Sequence, residues 1–206
     1  MWRTILAIAL ILVMVATCMS CKQKETITEA EIPIHYTTYT DEMNLFSISY
    51  PPDWEPALSV LEEAELLVKE VIDSIEAGLP LENSSLIFIA GLPTAMGWEP
   101  NVNIGVESIP GVYTHDEAVE AEIQGLRIIL ENFRLINQIK TTVDGREATI
   151  IEYKGTMSII GEVHPLQMLL LVDKVVWVVT CSPPQGEFDE WEDDFYHIVR
   201  SLRILR

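Results

Sequence analysis

The side chains able to do chemistry are plentiful in this 206-residue chain, but their spacing is poor. The four histidines, His35, His115, His164 and His197, are scattered. None lies three to five residues from another, the interval at which two imidazoles share a zinc ion. Asp189, Glu190, Glu192, Asp193 and Asp194 form the densest group of carboxylates. Hydrolysis by paired acids needs two carboxyls held face to face. Here Phe188, Trp191 and Phe195 recur at helical spacing among the acids, so the cluster reads as the solvated face of a helix. The alternating loop ligands of a calcium-binding EF-hand are absent. Gly155 to Gly161, GTMSIIG, has the wrong spacing for a nucleophile elbow, and no glycine loop able to cradle phosphate occurs. Cys181 ends the apolar run VVWVVTC, where a buried and inert thiol is expected. No catalytic residue, metal ligand or cofactor is therefore assigned.

The remaining cysteines stand in a different context. The chain begins MWRTILAIALILVMVATCMSC, with Arg3 ahead of an unbroken apolar run from Ile5 to Ala16. That run suits a signal peptide and is short of the ~20 residues that span a bilayer as a helix. Ser20-Cys21 resembles the end of the lipobox of bacterial lipoproteins. Cys21 is accordingly expected to be acylated after removal of residues 1–20, with Cys18 as the alternative acceptor. An ordinary secretory signal or an uncleaved anchor is the competing reading. Residues 21–34 read as a flexible tether, and 35–206 as one domain. With Cys21 lipidated, Cys181 has no partner for an intramolecular disulfide. The expected location is the extracytoplasmic face of the cell membrane.

Charge narrows the partners. The chain holds 13 basic and 32 acidic residues, a net charge of −19. Phosphate binding along nucleic acid needs a basic footprint, so nucleic acid is excluded as a partner.

Periodicity supplies the elements that would position any site. His35–Thr40 and Leu45–Tyr50 predict a first hairpin around residues 41–44. Leu61, Ala64, Val68, Val71, Ile72 and Ile75 predict a helix over 57–77, stopped by Gly78 and Pro80. Strands are expected at 85–90 and 102–107. Thr114-x-x-Glu117 is a capping-box pattern, and Val119, Ile123, Leu126, Leu130 and Phe133 continue the helical spacing behind it. Strands at 136–143 and 146–153 flank Asp144-Gly145, and strands at 166–172 and 175–180 flank Asp173-Lys174. The last pair barely alternates, as in strands covered on both sides. A final helix at about 187–200 follows. The expected fold is α+β: an α/β/α sandwich whose central, mostly antiparallel sheet is covered by helices on both faces.

Several of these segments resemble the PsbP family. They are FSISYPPDW (46–54), the hairpin at DGREA (144–148), the strand VVWVVTCS (175–182) and FDEWEDDFYHIVRSLRI (188–204). The resemblance implies the sandwich fold and carries no metal ligand onto any position. It fits a lipid-anchored binding or assembly module acting on a membrane-associated protein partner, without catalytic activity. A carrier of a small apolar ligand, or a hydrolase, are the other classes. In the opening segment, Phe46, Ile48 and Tyr50 are expected to face the core, and Trp54 to seal the sheet edge. The stretch LPTAMGWEPN (92–101) reads as a ten-residue loop between strands. Its Leu92, Met96 and Trp98 are the candidate partner-binding residues, since loops and exposed Trp or Met favour contact surfaces. Burial of Trp98 against the sheet end is the competing reading.

Overall fold

Two short turns organise the largest sheet. In the computed structural model, which describes residues 35–41, 45–57, 85–94, 97–108, 113–157 and 161–205, Asp144 and Gly145 adopt φ of 52° and 71°. Both residue types tolerate this left-handed region, so β6 (Glu131–Val143) folds directly back as β7 (Arg146–Met157). The Arg146 guanidinium bonds the Asp144 carboxylate, which also accepts the Ile204 amide at 3.1 Å. Asp173, at φ 56°, makes the equivalent turn between β9 (Leu166–Val172) and β10 (Val175–Ser182).

The other strands are β1 (Thr37–Thr40), β2 (Phe46–Tyr50), β3 (Glu55–Pro56), β4 (Ser85–Thr94), β5 (Gly97–Ser108), β8 (Gly161–Val163) and β11 (Arg203–Ile204). The helices are α1 (His115–Ile129) and α2 (Phe188–Ser201). Among the described residues one sheet runs β3-β4-β5-β10-β9-β7-β6, with β8 beside β7, and a smaller one runs β1-β2-β11. Every pairing is antiparallel. The described residues thus form a mostly antiparallel sheet with two helices. The helix expected over 57–77 falls almost wholly outside the described residues, as do the N-terminal segment and its cysteines.

The lack of alternation in β10 has a direct cause. Val175, Trp177, Val179 and Cys181 enter one core with Phe46, Ile48, Met168, Leu170, Phe195 and Val199. Val176 and Val178 enter a second core with Val119, Ile123, Leu126, Ile151 and Leu169. Successive side chains point to opposite faces, and both faces are packed. The capping box at Thr114 and Glu117 is present, with the Glu117 carboxylate accepting the Thr114 amide at 2.8 Å.

FSISY forms β2, and its core runs deeper than expected. Phe46, Ile48 and Tyr50 are buried, and so is Ser49. The Ser49 amide donates to Ser201 Oγ at 2.8 Å, joining β2 to the end of α2. Past the prolines, the Trp54 amide donates to the Pro51 carbonyl at 3.1 Å. This turn drops the Trp54 indole into the core, 3% exposed, with its ring centroid 6.0 Å from that of Trp191. Trp191 is partly buried and packs against this core, as expected of a core-facing residue.

Two expectations are corrected. Phe133 does not continue the helix: α1 stops at Ile129, Leu130 is extended and Phe133 lies in β6. Its spacing still looks helical because it packs on the same core, 5.7 Å from Tyr153. The segment 92–101 is likewise not a loop. β4 continues to Thr94 and β5 starts at Gly97, with Pro93 opposite Trp98. Proline is tolerated there because the ladder shifts register between Gly91 and Pro93, where a missing amide breaks no regular pair.

Candidate functional site

The β4–β5 hairpin outruns the sheet around it. β3 pairs with β4 only as far as Gly91, and β10 pairs with β5 only as far as Asn101. Beyond those points, among the described residues, Pro93–Thr94 and Gly97–Trp98 pair only with each other. The result is a two-stranded arm. Leu92 sits at its base, partly buried against the larger core. Trp98 is placed by its backbone on the β5 side, and Met96 lies outside the described residues. The arm therefore brings the Leu92 and Trp98 positions onto paired strands at one end of the sheet. Glu99, next along, has its carboxyl pushed up by burial and by the charge of Glu187 at the start of α2.

A second feature lies beneath α1. On β5, Val102, Ile104 and Val106 face the larger core, so Asn101, Asn103 and Glu107 point the other way. Register places Thr180 opposite both Asn103 and Gln167, Ser182 opposite Asn101, and Val176 opposite Glu107. All of these polar residues are buried, as is Glu122 of α1. Gln167 Nε2 donates to Glu122 Oε1 at 3.0 Å, while Gln167 Oε1 and Thr180 Oγ1 have no partner. Burial pushes the Glu122 carboxyl up to about 7, opposed by the Gln167 hydrogen bond. Burial and then the charge of Glu122 push Glu107 up to about 7 as well. Burial, with Glu122 nearby, also drives the Tyr153 phenol well above its ordinary value. Groups titrating near neutrality can exchange protons, but Glu107 and Glu122 are only 7% and 6% exposed. A charge on either carboxyl is therefore poorly hydrated, which bears on stability.

The sequence held a signal for this pair. Asn101, Asn103 and Glu107 occupy one side of a period-two pattern whose other side is purely apolar. Glu122 falls beside Ile123 and three residues after Val119, on the inward stripe of the helix.

His115, His164 and His197 occupy packing positions, whereas His35 is exposed. His115 is buried with Nε2 2.9 Å from Thr149 Oγ1, and burial lowers its pKa, favouring the neutral ring. His164 lies 2.8 Å from Glu152 and stacks on Phe188 at 3.9 Å between centroids. His197 packs against the Tyr36 ring at 4.1 Å, and burial lowers its pKa. Cys181 is fully buried, which raises its thiol pKa well above the ordinary value. Along α2, Asp189, Glu190 and Asp193 are exposed, while Asp194 accepts a hydrogen bond from the Tyr36 hydroxyl. That contact ties the start of the described domain to α2. Among the described residues no three His, Cys, Asp or Glu side chains converge as a metal site, and no helix is long and apolar enough to cross a membrane.

The solution structure of cyanobacterial PsbP from Synechocystis sp. PCC 6803 superposes with a TM-score of 0.54 at 14% identity, covering 87% of this chain and 98% of that one. A Pseudomonas aeruginosa protein of unknown function gives a TM-score of 0.48 at 14% identity, over 81% of this chain and 95% of its own. LpqN of Mycobacterium tuberculosis, described as involved in cell envelope biogenesis, gives 0.46 at 10% identity, over 78% and 83%. No curated protein matches the chain. The sequence model of the PsbP family matches residues 34–204, nearly the whole domain, and the chain belongs to the PsbP family.

Proposed function

We propose that this protein is a lipid-anchored, extracytoplasmic binding module that engages a membrane-associated protein through the tip of the β4–β5 arm. The observation behind this reading is the arm itself. Among the described residues its last positions, Trp98 included, pair with no other strand, and Leu92 stands at its base. Trp and Met are enriched in contact surfaces. We read the two cores as the interlayers of a helix–sheet–helix sandwich, a rigid base from which the arm extends. Acylation at Cys21 would hold that base at the membrane, and the strong negative charge would keep it away from anionic lipid heads.

Two variants test the parts separately. Cys21→Ala should move the protein from the membrane to the soluble fraction, or leave the precursor unprocessed. Mass spectrometry that finds the lipid on Cys18, or finds residues 1–20 on a lipid-free chain, contradicts the anchor. Trp98→Ala should leave the melting temperature nearly unchanged and weaken co-purification of the membrane partner. A large loss of stability instead would place Trp98 in the core and remove the arm as a contact surface.

A further inference from the structure

A groove of about 470 Å³ opens at the far end of the β6–β7 hairpin, where β8 flanks β7. It falls within the ~300–1,000 Å³ range of small-molecule sites. Several features meet in it. Arg134 on β6 lies directly opposite Lys154 on β7. Like charges so placed destabilise a strand pair, and this chain has 32 acidic residues that could have stood there. Among the described residues neither cation has an ion pair, hydrogen bond or ring partner, whereas Lys140 meets Asp116, Arg146 meets Asp144, and Arg127 and Arg200 lie over aromatic rings.

The backbone is also shaped at this point. Register shifts bracket Arg134 on both sides, and bulges of this kind re-aim side chains beside functional sites. Asn132, of a type that tolerates the left-handed region, sits there at φ 55° as the chain enters β6. At Gly155 an added Cβ would lie 2.8 Å from Leu130 Cβ, so this part of the wall admits no side chain. Phe133, partly exposed, gives the groove an apolar surface, and Glu162 contributes one negative charge.

The geometry points to a binding site for a small amphiphilic carboxylate, its anionic end between Arg134 and Lys154 and its apolar body on the exposed part of Phe133. A guanidinium matches the two oxygens of a carboxylate as a fork. Such an anion would relieve the cross-strand repulsion, and Glu162 disfavours a second negative charge on the ligand. The site stands apart from the β4–β5 arm and does not depend on membrane anchoring.

The test is an amide-resolved NMR titration of the domain with phenylacetate, its neutral counterpart phenylacetamide, and inorganic phosphate. Phenylacetate should give saturable shifts centred on Arg134, Lys154 and Gly155. Phenylacetamide and phosphate should bind more weakly. Arg134→Gln and, separately, Lys154→Gln should each weaken phenylacetate by about ten-fold or more, the loss expected when a charge-assisted hydrogen bond is removed. Without ligand, each variant should melt at or above the wild-type temperature at low salt, because the repulsion is gone. Absence of localised shifts, equal binding of the amide or of phosphate, or undiminished binding in both variants would overturn the assignment.

Discussion

Trp54→Ala should destabilise the domain by ~3–5 kcal/mol, the usual cost of deleting a buried aromatic side chain. The indole is almost fully buried and packs beside Trp191 in the larger core. Its backbone is fixed by the turn to Pro51, so the chain cannot easily slide to fill the space left behind. Domains of this kind are stable by only ~5–15 kcal/mol, so the loss removes a large share of the margin. Trp54→Phe should cost much less. Among the described residues the indole Nε1 has no hydrogen-bond partner, so that substitution forfeits area and no polar contact. Urea unfolding of the two variants checks both statements. An unchanged midpoint for Trp54→Ala would mean that the side chain is solvated.

Glu122→Gln should act in the opposite direction, stabilising the protein by about 2–3 kcal/mol at alkaline pH. The folded-state carboxyl titrates at about 7, against 4.5 for the ordinary group. Below 4.5 both folded and unfolded chains hold the proton, and Glu122 costs nothing. Between 4.5 and about 7 the unfolded chain releases its proton first, so wild-type stability falls as pH rises. Above that window both states are ionised and the full penalty remains. Glutamine keeps the shape and the contact with Gln167 but has no charge to bury. It also removes the charge that helps hold Glu107 up. The advantage of the variant should therefore be near zero in acid, grow through the window and then level off. Guanidinium unfolding across the pH range measures it. A variant less stable than wild type at alkaline pH would show that Glu122 is stabilising there as a carboxylate.

What could be read in the sequence depended on how local each signal was. The hairpins at Asp144-Gly145 and Asp173-Lys174, the capping box at Thr114 and the amphipathic α2 stand where local pattern placed them, because turn chemistry, capping and periodicity act over a few residues. The helix register running through Phe133 failed for a different reason. The second core takes apolar side chains from both α1 and the start of β6, so the spacing outlives the helix. The arm was read as a loop because its prolines look like strand breakers, and only the limits of β3 and β10 show where they are tolerated. β11 could not be foreseen from two residues, since it exists only by pairing with β2, far earlier in the chain. The pairing of Glu107 with Glu122 joins a strand to a helix, and that of Arg134 with Lys154 needs a bulged register. Both are products of tertiary structure. Of the candidate residues, Leu92 and Trp98 are placed on one arm, and Cys21 and Met96 lie outside the described residues.

Binding through the arm is tested most directly by a photo-crosslinking amino acid at position 98 in the full-length, membrane-attached protein, with position 174 as a control. Lys174 is exposed in the β9–β10 turn, away from the arm. Anchored binding by the arm predicts an adduct with a membrane-associated protein from position 98, none from position 174, and loss of the adduct when Cys21→Ala releases the chain from the membrane. No adduct at 98, or the same adduct from both positions, would contradict it.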